Sequence, residues 1–280
     1  MSLANAIKGV VLRPRRIVLY GVHGVGKSTW AANAPSPFFL ATEDGANDIG
    51  VERTPLIRSL GEFNSWVSDL LTDTHSYKTL VIDTADWLEK LIWAAVAQDE
   101  GKSHIEEIGY GKGYKKASLK WEFVLSSLEH LRARKNMAII ILAHSKQARV
   151  EPPDGDPYTR YAPDLHDIAS TLLQEWADEV LFCNFVTHTV AKEGNFGRKH
   201  TIGVGGKVRK VYTEGSSAFS AKRRLMLPDE LPMQWDAYAN AVKAARPKKG
   251  DVLEQPKGDI EGVVKDGSSK VKEEVTTNGE

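Results

Sequence analysis

The chain has 280 residues, 41% of them hydrophobic. That is enough for one large α/β domain or two small ones, and too much for disorder throughout. Lys plus Arg and Asp plus Glu number 37 each, so no global field attracts nucleic acid and any such site must be a local patch.

Residues 1–15 are mixed, with an edge strand expected at Gly9–Leu12. Ile17-Val18-Leu19-Tyr20 predicts a strand, followed by Gly21-Val22-His23-Gly24-Val25-Gly26-Lys27-Ser28-Thr29 and a helix that stops before Pro35. Phe38–Ala41 predicts a short buried strand closed by Thr42-Glu43-Asp44-Gly45, and a further strand is expected near Leu56–Ile57. Phe63, Trp66, Val67, Leu70 and Leu71 recur at helical spacing; Thr79–Asp83 is an apolar strand ending in a carboxylate; Trp87, Leu88, Leu91, Ile92 and Ala95 mark the next helix. Glycines break residues 99–116, and Trp121, Val124, Leu125, Leu128 and Leu131 carry another helix. Met137–Ala143 is the most apolar strand and ends at His144, before a Pro-rich polar loop at 146–163. Leu165 to Trp176 is amphipathic, with Asp164 as the expected N-cap.

The texture then changes. Glu179–Thr189 and Val208–Thr213 predict strands separated by a Gly-rich segment at 194–206, with another expected at Ser217–Leu225. No helices intervene, so these are expected as antiparallel additions to the sheet. Trp235–Val242 predicts a short helix. From Arg246 onward there is no aromatic residue, with seven Lys/Arg and eight Asp/Glu, a composition that buries too little to order itself. The expected division is a core at 1–245 and a disordered polar tail at 246–280. The single cysteine, Cys183, lies in an apolar run; it precludes an internal disulfide framework and fits a reducing cytoplasm. The sequence contains no apolar run of the ~18 residues a membrane span needs, and MSLANAIKGV lacks the apolar core of a signal peptide.

Alternating strands and helices imply a mainly parallel sheet covered on both faces, with ligands bound beyond the carboxyl ends of its strands. Gly21–Ser28 is G-x-x-x-x-G-K-S between a strand and a helix, the context a P-loop requires. Gly21, Gly24 and Gly26 allow the tight bend that turns N–H groups toward a phosphate, Lys27 reaches the β- and γ-phosphates, and Ser28 holds Mg²⁺. A Gly-rich turn with a chance lysine is the bland alternative, and the flanking strand and helix argue against it. Asp83 admits two roles, Mg²⁺ binding beside Ser28 or a helix N-cap. Hydrolysis needs a group that orients or deprotonates water. Thr84 cannot serve, which leaves Glu43, with Asp44, Asp86 and Glu89 competing; Glu43 as a solvated turn residue is the alternative. His144 either touches the γ-phosphate or attacking water, or simply caps the next turn. The other seven histidines show no metal-ligand spacing.

Two segments combine cations with stacking rings, as single-strand binders do. The first interleaves Lys102, Lys112, Lys115 and Lys116 with Tyr110 and Tyr114; the second carries Lys146, Arg149 and Arg160 with Tyr158 and Tyr161. Both also read as ordinary solvated loops, since Glu106, Glu107, Asp154 and Asp156 dilute the charge. Lys222, Arg223 and Arg224 form a basic cluster that either reaches a γ-phosphate, in its own or a neighbouring subunit, or covers a solvated strand face.

GVHGVGKST, FFLATEDG, KTLVIDTADWL, EEIGYGKGYKK and MAIIILAHSK together resemble the RecA-like recombination ATPases over roughly residues 14–240. The similarity is greatest to the short phage-encoded members that assist single-strand annealing and recombination. The resemblance implies a RecA-like P-loop core, ATP and Mg²⁺ as cofactors, hydrolysis stimulated by DNA, and a cytoplasmic location, the host's if a phage encodes the chain. It implies Glu43 as the glutamate following the second strand and Asp83 as the Walker B aspartate. His144 stands where RecA itself has a glutamine switch. The family's two DNA-contacting loops match 102–116 and about 147–163, and its interface cations fall near Lys222–Arg224. The large extra domains of RecA are missing, so an annealing or helper role is expected. Implied partners are single-stranded DNA, further copies in a ring or filament, and a single-strand-binding or annealing protein, with no membrane. Two competing readings use the same P-loop. One is a small-molecule or nucleotide kinase with Arg149 and Arg160 in a lid; the other is a non-hydrolytic assembly or loading protein.

Overall fold

The computed structural model describes the backbone of residues 9–193 and 199–247 and the side chains of 9–187 and 205–247. The P-loop strand β1 (Arg16–Gly21) is buried at every position after Arg16. Its residues are apolar on both faces because both faces of the sheet are covered. Val18 and Tyr20 join one core, and Ile17 and Leu19 the other. Each such side chain removed from water contributes roughly 1.5–3 kcal/mol.

β1 pairs in parallel with β5 (Ala138–Val150) on one side and β7 (Glu179–Glu193) on the other. β5 continues to β4 (Thr79–Asp83), then β2 (Pro37–Ala41) and β3 (Glu52–Arg53), all parallel. Beyond β7 come two antiparallel strands, β8 (Lys199–Tyr212) and β9 (Glu230–Pro232). The sheet order is therefore β3-β2-β4-β5-β1-β7-β8-β9. Helices α2 (Leu60–Thr72), α3 (Ala85–Asp99), α4 (Lys112–Arg134) and α5 (Asp167–Trp176) cover one face; α1 (Lys27–Ala32) and α6 (Trp235–Ala245) cover the other. This is the RecA-like architecture expected: a mostly parallel mixed sheet flanked by helices, with antiparallel strands at the C-terminal side.

Several elements differ from expectation. Gly9–Leu12 reduces to a single bridge residue, Val10. The strand expected at Leu56–Ile57 lies earlier, at Glu52–Arg53; Ile57 is apolar because it enters the core beside Leu60 and Phe63, and its N–H alone reaches the sheet, at Ala41 O. Helix α4 starts at Lys112, so Gly113 to Lys116 are helical, and a Cβ on Gly113 would stand 2.7 Å from Ile105 Cγ1. β5 does not stop at His144. It runs on to Val150 and pairs antiparallel with β6 (Tyr158–Pro163), so the expected loop is a two-stranded ribbon. Its burial is only partial, alternating between exposed and half-buried over Gln147–Val150, and its prolines and charged residues read as a loop. α5 is capped by His166, whose ring accepts from the Ile168 N–H, and not by Asp164. β7 is parallel to β1, with α5 as its crossover, and only β8 and β9 are antiparallel additions. β8 reaches back to Lys199, so most of the Gly-rich segment is strand. Ser217–Leu225 holds only two isolated bridges, Tyr161–Phe219 and Val180–Lys222. Residues 194–198 of that segment and 248–280 of the expected tail lie outside the described residues.

Candidate functional site

The carboxyl ends of β1, β2, β4 and β5 bring four polar groups to one edge. β1 ends at Gly21 opposite His144 of β5, while Ala41 of β2 pairs with Asp83 of β4. Gly24 and Gly26 take φ of 70° and 101°, backbone that a side chain strains. Lys27 is buried beneath the loop, its Nζ donating to Gly21 O (3.1 Å) and Val22 O (3.2 Å); burial lowers its pKa. Only 2% of Asp83 is exposed. Burial raises its pKa against the pull of Ser28 and Lys27. Ser28 lies close enough to favour the carboxylate, yet outside hydrogen-bond geometry, and both Asp83 oxygens lack a partner among the described residues. Asp83 is also not the cap of α3, since Thr84 occupies that position. A buried, unpaired carboxylate beside a hydroxyl suits a hard cation, so Ser28 and Asp83 fit Mg²⁺.

Glu43 is half-buried, its Oε2 3.4 Å from Thr84 Oγ1 and 4.0 Å from His144 Nδ1. Burial raises its pKa, opposed by His144 and supported by Asp83 and Asp86. His144 is held firmly: its N–H donates to Asp86 Oδ1 (3.0 Å), and its Nδ1 stands 2.9 Å from Asp86 Oδ2. Its ring stacks on His23, with centroids 3.9 Å apart. Burial works against the Asp86 carboxylate, but the hydrogen bonds from His144 outweigh it and lower its pKa. Asp86 is thus committed to His144. Asp44 is exposed and bonds Asn47, so of the four carboxylates weighed for the water-activating role Glu43 is the half-buried one held only by the long contact from Thr84.

Glu89, one turn beyond Asp86, has a separate task. Its Oε2 accepts the His166 N–H (2.9 Å), while Oε1 is buried without a described partner. Asp86 and Glu89 therefore hold both feet of the β5–β6 ribbon, His144 and His166, to α3. Burial pushes the Glu89 carboxyl up to about 7. An acid whose folded pKa lies above its unfolded value loses stability as pH rises between the two. Glu89→Gln escapes that loss. It is expected to be more stable than the parent at pH 8, by at most about 3 kcal/mol, the difference closing toward pH 4. Denaturant unfolding at both pH values measures this.

Within its own chain the basic cluster does not reach the phosphate site. Lys222 bonds Gln174 O, Arg223 pairs with Glu214 (3.0 Å) and Asp229 (2.8 Å), and Arg224 lies 3.5 Å from Asp178. Asp178 directly precedes β7 and binds Arg16, so Arg224 sits at the amino ends of the strands, opposite Gly21. The cation that does meet the P-loop is Arg209 of β8, whose Nη1 donates to Val25 O (3.1 Å). The sequence signalled it only as a basic residue in a strand-forming run; its placement follows from β7–β8 pairing.

The two cation-and-tyrosine segments are remodelled. Tyr110 is fully exposed, at φ 57° between two glycines, and Lys102, Lys112 and Lys115 of the same segment are exposed. Lys116 pairs with Glu100, and Tyr114 packs between Trp93 and His166, 4.2 Å from the latter. On the ribbon, Tyr158 is partly exposed, whereas Tyr161 stacks on Phe182 in the core. Arg149 pairs with Glu151, Lys146 bonds Leu165 O, and Arg160 is half-buried. The exposed rings are thus Tyr110 and Tyr158, at two separate tips.

A P-loop on a central strand, one strand removed from Asp83, within this sheet order defines a P-loop ATPase core of the RecA-like type. A family model described as an AAA domain matches residues 13–225, and the chain belongs to that family. No curated protein matches the sequence. Among solved structures, that titled crystal structure of the RadB recombinase is similar over 80% of this chain and 90% of its own, with 12% identity and a TM-score of 0.44. Among the described residues, no helix is long and apolar enough to cross a membrane.

Proposed function

We propose that this protein hydrolyses ATP and couples turnover to single-stranded DNA, in recombination or annealing of the kind phages encode. The observation that carries the proposal is the joining of two features in one strand. β5 brings His144 to within 4.0 Å of Glu43 at the P-loop edge, then continues without a break into the β5–β6 ribbon, which exposes Gln147, Arg149 and Tyr158. In this reading Lys27 neutralises the β- and γ-phosphates, and Ser28 and Asp83 hold Mg²⁺, which offsets charge on the transferring group. Glu43 orients and deprotonates the attacking water. His144, anchored by Asp86, contacts the phosphate end and transmits its state along β5. Tyr110 and Tyr158, with Lys102, Lys112, Lys115 and Arg149 nearby, meet the DNA. Further copies of the chain and a single-strand-binding or annealing protein are the fitting partners, in the cytoplasm. The kinase alternative is less well supported, because Arg149 is paired within the ribbon and Arg160 is half-buried.

The test is ATP turnover with and without single-stranded DNA across a salt series. Stimulation of about tenfold or more, weakening as salt rises, is expected for a backbone-contacting site. No stimulation together with no DNA binding at low salt sinks the DNA half of the proposal. No turnover under any condition sinks the ATPase half.

A further inference from the structure

His23 lies in the middle of the P-loop, and its ring rests on the ring of His144, with centroids 3.9 Å apart and planes 23° from parallel. His144 is itself fixed on three sides. Asp86 binds its N–H and its Nδ1, and its C=O accepts the Asp164 N–H (2.8 Å), just past β6. We infer that His23 is the positioning residue through which the P-loop acts on His144, so that a triphosphate in the loop alters the β5–β6 ribbon by way of the stacked rings. The inference rests on the P-loop holding a triphosphate and on the transmission along β5 proposed above.

The chain of contacts starts at Lys27. Its Nζ donates to Gly21 O and Val22 O, acceptors that compete with phosphate oxygens for the same ammonium. Val22 O and the His23 N–H belong to one planar peptide unit, so turning the first turns the second. A phosphate that draws the ammonium off Val22 O therefore frees this peptide to rotate, and the His23 side chain moves with it. Gly24 follows at φ 70°, and no atom lies within 4 Å of where its Cβ would stand, so the loop has room to move there.

The receiving side has little slack. With Asp86 on its N–H and ring and Asp164 on its C=O, His144 joins α3 to both strands of the ribbon. Any tilt of its ring is felt at those bonds. The contact with His23 works through the ring face and not through charge. The nearness of His144, with burial adding to it, lowers the His23 pKa, so near neutral pH His23 packs as an uncharged ring.

The experiment measures amide hydrogen exchange over residues 145–163 of the full chain, with and without a saturating non-hydrolysable Mg·ATP analogue. Wild type is expected to slow its exchange by about threefold or more on binding. His23→Ala is expected to bind the analogue within about threefold of wild type, because backbone N–H groups hold the phosphates, yet to lose the nucleotide-dependent change. His23→Phe keeps a stacking ring without the ring nitrogens and is expected to restore the change; His23→Leu, with bulk but no ring, is not. A merely structural role would raise exchange in both states and leave the difference intact. The inference is overturned if His23→Ala keeps the wild-type difference, or if His23→Phe loses it. If His23→Ala cannot be saturated, His23→Phe against His23→Leu decides, and equal differences in the two overturn it. Wild type that binds the analogue with an unchanged ribbon fails the transmission along β5, and wild type that binds none fails the triphosphate reading. Either result takes the inference with it, and neither is mistaken for a failure of His23 alone.

Discussion

Lys27→Ala is expected to abolish nucleotide binding, with an affinity loss of about 100-fold or more for a charge-assisted contact to phosphate, some 3 kcal/mol. Its ammonium is already beneath the loop, held by Gly21 O and Val22 O and lying near Asp83, Glu43 and Asp86. Burial is what makes the contact strong, since a charge facing phosphate with little intervening water is screened weakly. Removing it also leaves those three carboxylates facing the incoming phosphates with one cation fewer. Titration calorimetry with Mg·ATP gives the loss, and the thermal midpoint shows whether the fold persists. Retained affinity would mean that the loop is not the phosphate site.

Glu43→Gln is expected to separate binding from chemistry. Gln keeps the shape and the contact with Thr84 but cannot take a proton, so kcat should fall by roughly 10²–10³ while ATP affinity stays within a few fold. The raised pKa of Glu43, caused chiefly by burial, makes its carboxylate a better base than that of an exposed glutamate. The parent rate should therefore fall on the acid side at a pH above the ordinary glutamate range, and Glu43→Gln should lose that limb. Single-turnover hydrolysis across pH resolves both effects. Normal turnover in the variant would remove Glu43 from the role. Asp86 is a poor replacement because both its oxygens are engaged by His144.

The core was legible where burial writes a pattern. β1, β4 and the first half of β5 are continuous apolar runs because both faces are covered, and α2, α3 and α4 show helical spacing. Gly21–Thr29, Glu43, Asp83 and His144 could be placed together from sequence, since each lies at or just beyond the carboxyl end of a parallel pairing. The β5–β6 ribbon was not legible, because its alternation is confined to the short run Gln147–Val150 and its partner strand is interrupted by charges and prolines. Arg209 was hidden for another reason: its position depends on the register of β8 against β7, including the irregularity between Phe185 and Thr187, and no local pattern records register. The intrachain partners of Lys222–Arg224, among them Asp178, Glu214 and Asp229, could not be read from the sequence, because a cation cluster gives no hint of its own partners.

Gly21 is the residue where β1 ends, and its neighbour on one side is Cys183 of β7. A Cβ at Gly21 would lie 2.1 Å from Cys183 O and 2.6 Å from its Sγ, so this glycine is required by a strand as well as by a phosphate. Both strands that flank β1, β5 and β7, arrive more than a hundred residues later in the chain. The shape of the P-loop cradle is therefore complete only with the sheet closed around β1 from both sides, by strands drawn from distant parts of the chain.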